Sequence, residues 1–285
     1  MYAITFQENC IHCGKNHLEQ ISKPFIETLH KVQSAFYVLA SIFDTRQSVS
    51  CEISKCISKA SLHGTTLMMV LVKSSLKITH SFQMNSGDCS AGIVGNEEKG
   101  IAVIGLTLSN RRLCLGGLHL DVNSDSSRKK CFVDMLQKLG KKCDVSFFGG
   151  DFNVRPSPKS EKNPNKFEGG KNQLFLEKMK ETDEFSGSKS YTGEINFLKY
   201  VQTTKKKLFV EPFNKTPQFL PTYSLKSSLK CKDYPICYNL ERFPAWTDRI
   251  IYYPESLVKC SEYTSIPALA EKSDHIPIFA NCEFI

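Results

Sequence analysis

The chain has 285 residues, 41% of them apolar, and a formal net charge of +8. This is ordinary globular composition, with room for one large core or two smaller ones, and it excludes a chain too polar to fold. No apolar stretch is long enough to span a bilayer as a helix, so any membrane contact is expected to be peripheral, and the excess of lysine and arginine favours anionic partners such as inositol phosphates, phosphoinositides, nucleic acid or a membrane leaflet.

Residues 2–6 read as a strand that runs into the polar triplet Phe6-Gln7-Glu8. Between 16 and 43, Leu18, Ile21, Phe25, Leu29, Val32, Phe36 and Leu39 recur at three- and four-residue spacing, which predicts a helix, bent or restarted at Pro24. Residues 67–72 form an apolar strand, with 77–82 as its expected partner. Residues 101–108 and 113–120 read as strands joined by the turn Ser109-Asn110-Arg111. A helix is predicted over 124–142, with Phe132, Met135, Leu136 and Leu139 facing inward. A buried strand at 145–148 ends in Gly149-Gly150. Residues 156–172 read as an exposed loop, 174–185 as a helix, 199–207 as polar and basic, and 226–238 as a lysine-bearing loop. The last strands are 249–253 and 276–284. Many strands with helices between some of them suit an α+β fold, two packed sheets with outer helices, and no interior linker divides 1–285 into separate domains.

Twelve cysteines follow no regular framework. Cys114, Cys131 and Cys143 sit in apolar segments, where a thiol acts as a small hydrophobe, and Met1 leads straight into a strand. These features predict reduced thiols and a cytoplasmic protein, transiently at membranes. Cys10-Ile11-His12-Cys13, with His17 nearby, lacks the second ligand pair of a structural zinc site and reads as ordinary loop.

Five polar motifs each end an apolar run that reads as a strand, so each is expected to deliver a carboxylate, amide or imidazole at or near the strand's C-terminal end, where loops carry chemistry. Asp151 and Asn153, just past a strand, lie on the same side of an extended chain. Such a pair can orient water and hold a phosphoryl oxygen, or simply close an Asx turn. His275, in Ser273-Asp274-His275-Ile276-Pro277, could serve as a charged donor if a carboxylate orients it, with Asp248 as the candidate partner. Glu8 suits a hard cation such as magnesium, or is an ordinary helix-start acid. His119, in an otherwise apolar strand, would alone be a core residue.

Together, the segments FQE, GN-x-x-KG (95–100), HL, GDFNVR (150–155), PTY (221–223), PAWTDRI (244–250) and SDHIP (273–277) resemble, in order and approximate spacing, the inositol polyphosphate 5-phosphatases of the DNase-I-like endonuclease/exonuclease/phosphatase superfamily. The resemblance implies a four-layer α/β/β/α sandwich and magnesium-dependent hydrolysis of the 5-phosphate of phosphoinositides or inositol polyphosphates. It implies that Glu8 binds the magnesium, with Asp274 near it, and that Asp151 activates water beside Asn153. His119 contacts the scissile phosphate, and His275, oriented by Asp248, stabilises the pentavalent phosphorus. Tyr223, Arg249, Lys99, Lys226 and Arg242 are expected at the substrate. A monomer acting on a phosphoinositide or inositol phosphate, with peripheral membrane contact and no nucleic acid, is the partner expectation. The alternatives are a superfamily nuclease and a catalytically impaired phosphoinositide-binding protein.

The chain departs from the family pattern in three ways. A strand carrying Thr-Trp-Asn normally precedes the FQE strand, so either an N-terminal truncation or the loss of that strand and its metal-holding Asn is expected. Ser224 stands where the family has a lysine after PTY, and Leu240 where it has a basic residue, although Arg242 is retained. Lys226, Lys230 and Lys232 are candidates to compensate. Thr247 replaces the usual cysteine, a small polar exchange expected to be harmless.

Overall fold

The structure is a computed structural model that describes residues 1–9, 17–32, 37–44, 65–86, 99–155, 197–207, 209–214, 217–225, 238, 244–267 and 273–285. The expected loops at 156–172 and 226–237, the helix at 174–185, the Cys10–Cys13 cluster and residues 95–98 lie outside the described residues. The chain divides into two compact units, Met1–Gly150 and Asp151–Ile285.

The first unit is built around β3 (Thr65–Lys73), the central strand of a sheet in which it pairs antiparallel with both β1 (Tyr2–Asn9) and β2 (Tyr37–Asp44). Its apolar run is continuous because both faces are covered, as a two-sided burial demands. Met68, Val70 and Val72 pack with Ala102, Ile104, Leu106 and Leu115. Met69 and Leu71, on the other face, pack with Tyr2, Ile4, Ile26 and Leu29. Ile26 and Leu29 belong to α1 (His17–Val32), which carries Pro24 inside it. The predicted helix therefore stops short: residues 37–44, YVLASIFD, form β2, because aromatic and β-branched side chains suit a strand against β3 better than a further helical turn.

A second correction concerns β4 (Ile78–Asn85). It pairs with β5 (Gly100–Leu108) rather than with the neighbouring apolar strand. β5 in turn pairs with β6 (Arg111–His119), and β4, β5, β6 and β7 (Val145–Asp151) lie side by side in that order. The β5–β6 turn needs only Ser109 and Asn110, both at positive φ (50° and 64°), the geometry of a two-residue hairpin. Between β6 and β7 runs α2 (Asp125–Leu139). Ser124 caps it by accepting from the Ser127 amide at 3.2 Å, Asp125 complements the positive helix end, and Gly140 closes it at φ 53°. Its inward residues Phe132, Met135, Leu136 and Leu139 are buried, and Phe132 meets Phe148 of β7 edge-on at 4.9 Å.

In the second unit, α3 (Phe197–Lys205) forms where the sequence reads as merely polar and basic; Phe197 anchors it edge-on against Phe152, 5.5 Å away. β8 (Asp248–Tyr253) bridges to Val210. β10 (Ile278–Phe284) pairs antiparallel with β9 (Val258–Ser265), a strand the sequence reading missed because VKCSEYTS is largely polar.

The cysteine expectation is overturned. Cys114 is bonded to Cys143 and Cys260 to Cys282, Cys131 is also disulfide-bonded, and no described cysteine is free. The Cα atoms are 5.7 and 3.9 Å apart. Sequence spacing hid the pairs because each joins segments 22 to 29 residues apart that only folding brings together. Reduced thiols thus no longer argue for a cytoplasmic setting, since disulfides persist in oxidising compartments.

Candidate active site

Four segments of the second unit meet through backbone hydrogen bonds. The Phe152 amide donates to the Thr247 carbonyl at 2.8 Å; Tyr223 and Ala245 exchange bonds of 3.1 and 2.7 Å; the Ile276 amide donates to Thr222 at 2.8 Å and the Leu225 amide to Asp274 at 2.8 Å. The motifs GDFNVR, PTY, PAWTDRI and SDHIP are thereby stitched side by side.

Asp151 closes β7 and is 4% exposed. The Asn153 amide donates to its Oδ1 at 2.7 Å, and Asn153 Nδ2 donates to its Oδ2 at 2.9 Å. The Asx turn that a plain structural reading would propose does form, and it fixes the carboxylate. Asn153 accepts φ 51°, a left-handed conformation that asparagine tolerates better than most residues. At the other end of the Asn153 amide, Arg155 donates to Oδ1 at 3.3 Å.

His275 Nδ1 donates to Asp248 Oδ2 at 2.8 Å. Asp248 is itself held: Thr247 Oγ1 donates to the same oxygen at 3.2 Å, and the Asp248 amide donates to Thr222 Oγ1 at 3.3 Å. Burial favours a neutral imidazole at His275, but Asp248, helped by Asp151 and Asp274, overrides it and pushes the pKa up to about 10. His275 is therefore a cation throughout the neutral range. Asp274 Oδ1 stands 4.0 Å from its Nε2. The Tyr223 ring contacts two cations, with the Arg155 guanidinium 4.6 Å from its centroid and the His275 ring 4.6 Å away.

In the first unit, His119 ends β6, is 2% exposed, and is contacted at Nε2 by the Lys99 ammonium, which lies 3.4 Å from Nδ1. Gln7 Nε2 donates to the Leu118 carbonyl at 3.4 Å. A Cβ at Gly150 (φ 136°) would strike that same carbonyl, which explains the glycine before Asp151. Glu8 occupies the irregular stretch of β1 between Phe6 and Asn9 where the pairing with β3 shifts.

Several expectations change. Asp248 and His275 sit at or before the start of their strands, not at the C-terminal ends where Asp151 and His119 lie. Arg249, expected at the substrate, is fully buried. It binds both oxygens of Glu211 (3.2 and 3.0 Å) and donates from Nε to the Trp246 carbonyl at 2.6 Å. The Tyr263 hydroxyl also donates to Glu211, at 3.0 Å, and burial, reinforced by Glu211, holds its pKa well above normal. Arg249 braces the segment that carries Asp248. Tyr223, also expected at the substrate, is 3% exposed and packs within the cluster. Ser224 is buried too, at 2% exposure. Lys226 and Arg242 lie outside the described residues. Sequence reasoning missed Glu211 and Arg155. The only signal for the first was a lone acid between Val210 and Pro212; the second stood in the GDFNVR motif without a role.

Among the described residues no three His, Cys, Asp or Glu side chains form a metal nest. Magnesium keeps several waters and needs only one or two carboxylates, so a hard oxygen donor such as Asp274 fits it chemically.

Solved structures of similar fold include the inositol polyphosphate 5-phosphatase domain of SPsynaptojanin, in complex with inositol (1,4)-bisphosphate and calcium ion. It is 21% identical with a TM-score of 0.68, covering 99% of this chain and 74% of that one. A Cimex nitrophorin ferrous NO complex is 17% identical with a TM-score of 0.64, covering 99% and 86%. An endonuclease/exonuclease/phosphatase family protein from Leptotrichia buccalis is 15% identical with a TM-score of 0.53, covering 99% and 87%. Among curated proteins, none matches this chain by sequence closely enough to count as a relative. These likenesses show an α+β, DNase-I-like fold, and the nitrophorin is a reminder that a fold does not fix its chemistry. By sequence, endonuclease/exonuclease/phosphatase family 2 matches residues 2–281. The chain belongs to the endonuclease/exonuclease/phosphatase family and has the fold of a phosphoesterase.

Proposed function

We propose that the chain is a magnesium-dependent phosphatase that removes the 5-phosphate of an inositol polyphosphate or phosphoinositide by direct attack of water. The observation that carries this reading is one cluster in the second unit, where an immobilised carboxylate, Asp151, stands with an Asp248–His275 pair that is charged at neutral pH. Asp151, held in one orientation by Asn153, is the carboxylate that would take a proton from water. The His275 cation donates to a phosphoryl oxygen and offsets the charge that builds as water adds, a contribution typical of preorganised electrostatic sites. No nucleophilic side chain is needed, and every described cysteine is already bonded.

Asp274 would hold the magnesium, which when bound supplies further charge neutralisation. Lys226 and Arg242 would meet the other ring phosphates. The +8 charge favours such a polyanion and a lipid surface bearing it. The bisphosphate bound to the synaptojanin domain supports the substrate class.

Phosphate release from inositol 1,4,5-trisphosphate and from vesicles of phosphatidylinositol 4,5-bisphosphate, with magnesium or with chelator, tests the reading. Release that needs magnesium and disappears in Asp151→Asn is expected. Binding without release would indicate an impaired binding protein, and cleavage of DNA or RNA instead would indicate a nuclease.

A further inference from the structure

We infer that Arg155 is a positioning residue for this reaction, locking the orientation of the Asn153 amide and so the aim of Asp151. The inference rests on the phosphatase reading above and extends it to a residue that reading does not use. An asparagine side chain can present either its oxygen or its nitrogen, and only the surrounding donors and acceptors decide. Here both ends agree. Asn153 Nδ2 donates to Asp151 Oδ2 at 2.9 Å, while Arg155 donates to Asn153 Oδ1 at 3.3 Å. A flipped amide would set its oxygen against the carboxylate and its NH2 against the guanidinium.

The two ends do not contribute equally through the reaction. Once Asp151 accepts a proton it is a weaker acceptor, and its hold on Asn153 loosens. The bond from Arg155 is untouched by that transfer, so Arg155 keeps the amide in place when the site is under most strain. Arg155 is suited to this because little else claims it. Its Nε is buried without a hydrogen-bond partner, and no carboxylate pairs with it among the described residues. The Arg155 guanidinium lies over the Tyr223 ring, 4.6 Å from the centroid, and the same ring contacts His275, with ring centroids 4.6 Å apart. A stacked planar cation is something arginine supplies and lysine does not. One side chain therefore ties the Asp151–Asn153 pair to the ring that supports His275.

The test uses the full-length chain and the variants Arg155→Ala and Arg155→Lys. For Arg155→Ala, kcat is expected to fall about 30- to 100-fold with KM within about threefold, the pattern of a group whose effect is felt in the transition state. Added guanidinium ion at millimolar concentration should restore at least about a tenth of the lost rate in the alanine variant, and Arg155→Lys should stay impaired. A rise in KM with kcat unchanged would make Arg155 a substrate contact and overturn the inference, as would full activity in Arg155→Ala. If Arg155→Ala does not fold, a fully active Arg155→Lys overturns it and an impaired, folded Arg155→Lys supports it. Wild-type protein that releases no phosphate from any inositol phosphate would sink the phosphatase reading instead. The inference would then be judged from the side-chain NH2 resonances of Asn153 by NMR: a shift in Arg155→Ala sustains it, and identical resonances overturn it.

Discussion

Asp248 and Arg249 are neighbours in the chain and opposite in setting. The carboxylate of Asp248 faces His275, which is 27% exposed at the side chain, whereas Arg249 is fully buried against Glu211 and the Trp246 carbonyl. The alternation of side chains along a strand sends consecutive residues to opposite faces, so one motif furnishes a site group on one side and a core brace on the other. Both are charged pairs, yet they differ in kind. The His275–Asp248 pair exists to set a protonation state. The Arg249–Glu211 pair is sealed in the core and serves to hold the backbone that carries Asp248.

Breaking each side separately is the sharpest test of this contrast. The largest effect is expected from Asp248→Asn: kcat should fall about 10²- to 10⁴-fold in protein that remains folded, as when a general acid loses its charge. If the brace reading is right, Glu211→Ala should act the other way round. Leaving Arg249 buried and unpaired should destabilise the fold by about 3–5 kcal/mol in denaturant titrations, while protein that remains folded keeps its KM. Replacing both partners, with Glu211→Leu and Arg249→Met, should recover much of that loss; failure to recover would mean that Arg249 does more than brace.

A moderate effect is expected from pH. Because the His275 pKa lies at about 10, activity should hold across the neutral range and fall only as pH nears 10. In Asp248→Asn the fall should move several units lower, since burial then acts with little opposition. Stability carries the same sign: the contribution of the charged pair is complete below the unfolded histidine value near 6.5 and is lost as pH rises towards 10. Urea midpoints measured from pH 6 to 10 should drift downward in the wild type and much less in Asp248→Asn. The smallest effect is expected at the exposed Arg112–Asp144 pair, whose side chains are 52% and 35% accessible. There the Asp144 carboxyl is held below its usual value by hydrogen bonds from Arg112, but Asp144→Ala should change Tm only slightly, and not at all in high salt.

What the sequence reveals follows from how each residue is satisfied. β3, β5 and β6 are legible because strands covered on both faces must be apolar throughout, and α2 because its cap and stripe are local. β2 was masked by Phe36 and Leu39, which fall on helical spacing by chance, and β9 by its lysine, serine and glutamate. Asp151, Asn153, Asp248 and His275 were named because their motifs are compact and resemble a known family. The roles of Arg249 and Arg155 could not be read that way. Each depends on a partner far along the chain, Glu211 for one and Tyr223 for the other, and no spacing rule connects them. The disulfides escaped for the same reason.

The short link at Ser109-Asn110 governs more than the bend it makes. It fixes Leu108 opposite Arg111, and the ladder then counts down without interruption to Gly100 opposite His119. An insertion of one residue there would turn every later side chain of β6 over, sending the imidazole to the opposite face about 30 Å from the change. A loop remote from all the chemistry thus acts as the gunsight of His119, and lengthening it should silence that histidine while leaving each reactive group in the molecule chemically intact.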